Sequence, residues 1–474
     1  MRRTRSFLLA FLAFLGIALG AETAASPSLP ASLVGRWEGR LLVPRPDLGQ
    51  GRMQSDSFAL RILSEGYALV DLPERNIFGF PVTLRLSAGD RLSFGLGAGP
   101  SGLRFEGGLL AEPSLRLSGE VAQGAVSGSW MLEPKARGRD YGESLGIAVR
   151  GGELRGSLLL PSSPAPLVIL VAGSGQTDRD GNNYQVPGRS DSFRLLASAL
   201  VRTGVASFRY DRRGVGESIA LAPDESSLRF EDEIADLGSI VDHFGQDPRF
   251  SSLVLVGQSD GALVAASLLV SRGRAVSAGL KLAILATGAT SALDSFRKAI
   301  DGAPTEQRSE GRAILAAVLA GRPWPHPSPY YADFFRPSFQ AYLTGWLNRD
   351  LKSLLPKVTS PLLLVQGDRD MQVELGDFLP LAAIRPEAAA VVVPDMNHVL
   401  KSVPAEVDAN YASFSNPDFP VAEDLVVSIA AFAKGESLPA ALIRVDGGIL
   451  PGNTGSGGFA AAASLFSAAT SGKK

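Results

Sequence analysis

Gly257-Gln258-Ser259-Asp260-Gly261 stands between an apolar run, Leu253 to Val256, and a helix-forming run, Ala262 to Val270. Strand, sharp turn and helix in that order are the setting of a nucleophile elbow, which carries a serine at the tip of the turn. The spacing has a steric cause. The backbone around such a serine turns too tightly for its neighbours to carry side chains at the points of contact, so glycine falls two residues before it and two after. Ser259 is therefore the candidate nucleophile. A bare G-x-S-x-G also occurs in ordinary loops, so the partners of the serine decide the reading.

A serine hydroxyl is inert near neutral pH unless a general base takes its proton, and the base is usually a histidine oriented by a carboxylate. The chain holds three histidines. His243 belongs to Glu231 to Phe244, where Ile234, Leu237, Ile240, Val241 and Phe244 recur at helical spacing, and it sits near a helix end that favours cations. His326 lies in Pro323-Trp324-Pro325-His326-Pro327, a proline-dense loop. His398 follows Ala388 to Val393, which reads as a buried parallel strand, and the turn Pro394 to Asn397. That makes His398 the candidate base.

A second buried strand, Leu362 to Gln366, ends in Gly367-Asp368-Arg369-Asp370, a glycine turn with two carboxylates. Asp370, three residues beyond the glycine, is the candidate acid, and Asp368 is left to cap the turn. The resulting chain order is Ser259, Asp370, His398. The chemistry also needs two backbone N–H donors for the oxyanion of a tetrahedral intermediate. One is the N–H of Asp260. The other is expected in the glycine-rich loop after the strand Leu167 to Ala172, at Ser174 with Gly175 as the alternative. Neither a Walker lysine nor a GxGxxG pattern follows that loop, which disfavours nucleotide binding. The reading calls for no cofactor and no metal.

The segments VAGSGQTDRDGN (171–182), RYDRRGVGES (209–218), GQSDG, GDRD and Asn397-His398 resemble those of bacterial α/β-hydrolase-fold esterases related to the serine aminopeptidase group, in which a small β domain precedes the catalytic domain. The resemblance is good over residues 145 to 435 and looser before them. Many relatives carry Pro where Gln176 stands and His where Gln258 stands; neither departure removes a catalytic group. The resemblance implies carboxylic ester hydrolysis through an acyl-enzyme on small or medium acyl esters, with Ser259, Asp370 and His398 as the triad. The same groups would serve a peptidase or an acyltransferase, and an inactive hydrolase domain would leave a binding module.

Met1-Arg2-Arg3-Thr4-Arg5, the apolar run Phe7 to Leu19 and Ala18-Leu19-Gly20 before Ala21 read as a secretory signal over residues 1–20, placing the mature protein in the periplasm or outside the cell. The run is shorter than the ~20 residues a spanning helix needs, so no membrane insertion is expected once it is removed. There is no cysteine, hence no disulfide, and stability must come from the core that 474 residues at 45% hydrophobic composition can build. A net charge of -2 gives no footprint for nucleic acid, and a small-molecule ester is the expected partner.

Between about 34 and 134 the chain alternates in short segments spaced as in an antiparallel barrel or sandwich: Arg36 to Leu42, Ser57 to Leu63, Tyr67 to Leu72, Pro81 to Leu86, Arg91 to Leu96, Leu103 to Leu109, Leu115 to Val121 and Ala125 to Leu132. From 141 to 435 apolar strands alternate with helical stretches, the pattern of an α/β domain with a mostly parallel sheet and helices on both faces. Residues from about 290 to 350 interrupt it with helical pieces and many aromatics, which read equally well as a lid over the site or as packing on the sheet. The Ala-, Gly- and Ser-rich residues 436–474 read as a flexible tail.

Overall fold

A strand half covered by solvent shows alternating apolar residues, and a strand covered on both faces shows a continuous apolar run. The chain contains one sheet of each kind. A computed structural model describes residues 29–44, 52–87, 91–97, 102–111, 114–136, 142–161, 164–277, 279–439 and 443–445. Residues 1–20, read as an export signal, and most of the segment 436–474 lie outside the described residues.

The first sheet comprises β1 (Gly35–Pro44), β2 (Met53–Ile62), β3 (Tyr67–Leu72), β4 (Ile77–Thr83), β5 (Arg85–Ser87), β6 (Arg91–Leu96), β7 (Leu103–Leu110), β8 (Arg116–Gln123) and β9 (Val126–Lys135). Its order is β4-β3-β2-β1-β9-β8-β7-β6-β5. The two ends of that order, β4 and β5, are joined through Leu84 alone, which brings the sheet round on itself as a barrel rather than two packed sheets. Its interior is filled by Trp37, Phe58, Phe94, Phe105 and Trp130 among other apolar residues. Phe105 stacks between Phe94 (4.6 Å) and Phe58 (5.2 Å). The single run expected at Pro81 to Leu86 is two strands, the first beginning at Ile77. The 3-10 turn Pro73–Arg75 closes on Asn76 at φ 54, and Gly79 at φ 61 donates its N–H to Asp71 Oδ1 (2.7 Å), so β4 starts directly after that turn, ahead of the expected Pro81.

The second sheet comprises β10 (Glu143–Val149), β11 (Gly152–Leu159), β12 (Ala165–Val171), β13 (Ala206–Tyr210), β14 (Phe250–Gln258), β15 (Leu280–Leu285), β16 (Leu362–Gly367), β17 (Ala389–Val393) and β18 (Ile443–Arg444), in the order β10-β11-β13-β12-β14-β15-β16-β17-β18. The run from β13 to β17 is parallel, with antiparallel pairs at both edges. Helices cover both faces. Leu167, Ile169 and Val171 point to one face with α2 (Phe230–Phe244), α3 (Asp260–Ser277, broken at Gly273) and α8 (Leu375–Ile384). Val168 and Leu170 point to the other with α1 (Ser192–Arg202) and α10 (Glu423–Lys434).

The insertion forms α4 (Ala292–Asp301), α5 (Thr305–Leu319), α6 (Gln340–Leu347) and the short α7 (Leu351–Leu354); its Tyr331, Phe335, Phe339, Tyr342 and Trp346 are buried in the core of the sheet's first face. Among the described residues no helix is long and apolar enough to cross a membrane.

After β12 the chain passes to β13 on one side, then crosses to β14 on the other. The exits of β12 and β14 thus diverge, and the crevice at such a switch point, at the carboxyl ends of the strands, is where this architecture places ligands. The site described next lies at those ends.

Phe105 ties the barrel's aromatic cluster together. Phe105→Ala should cost about 3–5 kcal/mol of barrel stability, read as a shifted denaturant midpoint of the barrel's unfolding transition.

Candidate active site

Ser259 follows β14 directly and precedes α3, with φ 53, a left-handed conformation rare for a residue with a side chain. The flanking glycines are required by contact. A Cβ on Gly257 would stand 2.5 Å from the backbone of Ala262, and one on Gly261 would stand 2.2 Å from Val171 O of the neighbouring strand. The strain at Ser259 is held by directional bonds: its N–H donates to Leu285 O (2.9 Å), and its carbonyl accepts from Ala262 N–H (3.0 Å) and Thr287 Oγ1 (3.1 Å).

His398 and Asp370 meet at 2.9 Å, imidazole Nδ1 to carboxylate Oδ2, with the Asp370 side chain fully buried. The carboxylate also accepts from the N–H groups of Gln372 (2.8 Å) and Val373 (2.9 Å) and from Gln366 Nε2 (3.0 Å). A carboxylate receiving four donors is an acceptor, so the proton of the neutral imidazole sits on Nδ1 and Nε2 keeps its lone pair. Asp368 turns elsewhere: its Oδ1 accepts from Asp395 N–H (2.7 Å) and caps the turn opposite. His243 lies in the last turn of α2 and His326 in a coil segment, neither at a strand end.

Gln258 Nε2 donates to His398 O (3.1 Å), which fastens the residue before Ser259 to the histidine. Among the described residues no hydrogen bond joins Ser259 Oγ to the imidazole. Gly173 closes the third side, since a Cβ there would lie 3.0 Å from Ser259 Cβ. The loop carrying Ser174 and Gly175 is thus laid against the elbow.

Several residues that the sequence did not single out hold these pieces. Asn410, on α9 (Val407–Ser413), accepts from Asn397 Nδ2 (3.0 Å) and donates to Arg369 O (2.8 Å), so one buried amide pins the residue before His398 and the residue before Asp370. Arg212 Nη1 donates to the carbonyls of Gly173 and Gly175, the latter at 3.0 Å, while its Nη2 donates to Glu233 and to Tyr342 OH (3.0 Å). Burial works against the Arg212 charge, but Glu233 holds it on, and its affinity for the proton is raised. Sequence spacing offers no signal for Asn410; Arg212 stands in the quoted RYDRRGVGES segment.

Asp260, next to Ser259, is half-buried, and desolvation pushes its carboxyl up. The Trp346 indole, the Arg212 charge and the Ser174 hydroxyl act in the opposite direction. Among the described residues Asp260 Oδ2 and Trp346 Nε1 lack a full hydrogen bond. The insertion therefore reaches the elbow through Trp346 and the loop-holding arginine through Tyr342, besides packing on the sheet.

A model described as the alpha/beta hydrolase family matches residues 168–411. Esterase EstD of Thermotoga maritima is 26% identical over 275 residues, and the match takes in 56% of this chain and 63% of that protein's length. Among solved structures, Est1E from Butyrivibrio proteoclasticus is 16% identical over 54% of this chain and 90% of its own, with a TM-score of 0.36. A thermophilic esterase from Thermogutta terrifontis is 20% identical over 54% and 92%, with a TM-score of 0.35.

Asn410→Ala would leave Asn397 Nδ2 and Arg369 O each short of a buried partner, an expected loss of about 1–3 kcal/mol per group, measurable by chemical denaturation. Lys401, fully buried three residues past His398, donates to Asn416 O (3.0 Å), and burial pushes it from the ordinary 10.5 down to about 8. Between those two values the unfolded chain keeps a proton the folded chain has lost, so the unfolding free energy rises with pH through that window. The rise should be about 3 kcal/mol. Denaturation curves from neutral pH to pH 10.5 should show it in the wild type relative to Lys401→Met, which has no such group to titrate.

Proposed function

Because the chain belongs to the alpha/beta hydrolase family, we propose that it is a serine esterase that hydrolyses small or medium acyl esters through an acyl-enzyme intermediate. The observation that carries this reading is the His398–Asp370 pair at 2.9 Å, whose proton placement leaves Nε2 as the base, fastened beside the elbow by Gln258. His398 Nε2 takes the Ser259 Oγ proton as that oxygen attacks the ester carbonyl. The N–H groups of Asp260 and Ser174, with Gly175 as the alternative to Ser174, receive the oxyanion. The alkoxide leaves with the proton from His398, and water then cleaves the acyl-serine by the same base in reverse roles.

Among the described residues Ser259 Oγ makes no hydrogen bond to the imidazole, and looseness of this kind is common before substrate aligns the groups. Residues 1–20 extend the proposal to export, with the reaction in the periplasm or outside the cell.

Assay against p-nitrophenyl esters of graded chain length, beside aminoacyl-p-nitroanilides, tests the reaction class. Ester turnover with inert anilides is expected, and the reverse pattern would make the chain a peptidase. Ser259→Ala should lower kcat on the order of 10⁴-fold or more, and His398→Ala nearly as much, because the triad acts as a unit. Asp370→Asn should cost several orders of magnitude, whereas Asp368→Asn should affect mainly the turn it caps. Turnover surviving in Asp370→Asn but lost in Asp368→Asn would reverse the acid's assignment.

A further inference from the structure

The loop that leaves β12 at Gly173 and enters α1 at Ser192 is tied to itself. Asp178 Oδ1 accepts from the N–H groups of Asp180 and Asn182 (2.9 Å each), and Asn182 Oδ1 from those of Ser190 (2.9 Å) and Asp191 (2.8 Å). These bonds fix the loop's shape. They do not fix where it stands relative to Ser259.

Beside the hold of Arg212 on the Gly173 and Gly175 carbonyls and of Arg209 Nε on Asp180 Oδ1 (2.8 Å), its position is set at Arg179, four residues beyond Gly175. The Arg179 N–H donates to Asp211 Oδ1 (2.8 Å), and its guanidinium Nη2 donates to Asp211 Oδ2 (2.5 Å) and Glu217 Oε2 (2.8 Å). Glu217 Oε1 accepts in turn from Arg61 Nη1 (2.9 Å), and Arg61 belongs to β2 of the barrel. The Arg179 side chain is only 4% exposed and that of Glu217 11%, so these charges are weakly screened and strongly directional.

Further along the loop the barrel makes three more contacts. Tyr184 meets Phe80 of β4 edge to face at 5.6 Å, the Arg189 guanidinium lies 4.7 Å from the centre of the Phe78 ring, and Gly188 N–H donates to Asn76 O (3.0 Å). The barrel therefore grips the loop at a part-buried ionic chain and at an aromatic contact. Neither grip contains a group with chemistry of its own.

We propose that the barrel is a positioning element for the oxyanion loop, and that Arg61 is the positioning residue that holds the loop through Glu217 and Arg179. This rests on the reading of the loop as donor of an oxyanion N–H. Without Arg61, Glu217 loses a cationic partner on its Oε1, opens to water and holds Arg179 less firmly, so the N–H of Ser174 samples positions away from the oxyanion. Misplacement of that kind lowers the chemical step and leaves substrate binding largely intact.

The test uses the full chain with Arg61→Ala, with Phe80→Ala as a second variant should the first not fold, and with Met131→Ala on the exposed side of the barrel as a control. Amide hydrogen exchange over residues 174–191 should quicken by about tenfold or more in either loop variant. With p-nitrophenyl butyrate, kcat of the folded variant should fall on the order of 10- to 100-fold while KM stays within about threefold. Met131→Ala should change neither.

Unchanged exchange in a folded loop variant overturns the proposal whatever the activity. Faster exchange with unchanged kcat overturns it as well, since the barrel would then cement the fold without serving the reaction. A wild type with no Ser259-dependent ester hydrolysis would sink the proposed function instead, and exchange alone would then decide whether the barrel positions the loop.

Discussion

The tightness of the turn at Ser259 governs the rest of the site. Helix α3 must leave β14 so closely that Ala262 backbone lies where a Gly257 side chain would be, and so close to β12 that Gly261 touches Val171 O. That approach is possible only with hydrogen at both positions, and it forces Ser259 to φ 53. In return the serine stands clear of the sheet, at the diverging exits of β12 and β14, with the N-terminus of α3 directly behind it. The helix end contributes the Asp260 N–H and a dipole that favours negative charge at the same point.

The candidate acid and base are placed by a different device, the welding of two loops. Gly367 lets the chain after β17 pass so close that a Cβ there would lie 1.9 Å from Met396 O. Arg369 N–H donates to that same carbonyl (3.0 Å), and the Arg369 side chain pairs with Asp395 at 3.2 Å. Asp370 and His398 are therefore fixed to each other before either is fixed to Ser259. The pair is joined to the elbow through Gln258 Nε2, which donates to His398 O (3.1 Å).

The features legible in the sequence are those that a local pattern encodes. Ser259, Asp370 and His398 each follow a continuous apolar run, because the strands of a sheet covered on both faces are apolar throughout, and the run's end marks the carboxyl edge where the site lies. β10 left no such mark, since only Ile147 of its seven residues is buried. Helices α8 and α9 carry weak local marks: α8 contains Pro380, which argues against a helix, and α9 is only seven residues long. Asn410 and Arg212 act across 41 and up to 130 residues of chain, and no spacing rule reaches that far. Barrel and sandwich share the same alternation. Pairing decides between them, here the fact that the sheet's two edge strands are neighbours in the chain.

The contact between the barrel and the loop after β12 includes charges and aromatic edges, and this bears on what it does. Buried ion pairs contribute little net stability, because desolvation cancels most of the attraction, whereas an apolar interface of the same size would hold two domains together at least as well. An apolar interface, however, tolerates sliding, since dispersion has little directional preference. The row Arg61, Glu217, Arg179 and Asp211 does not, because each guanidinium meets its carboxylates at fixed angles and a shifted pairing would strand a charge out of water. An interface of this composition specifies register more than it adds affinity. Register is what the loop would require if, as proposed, its N–H groups are to stand within hydrogen-bond reach of a developing oxyanion.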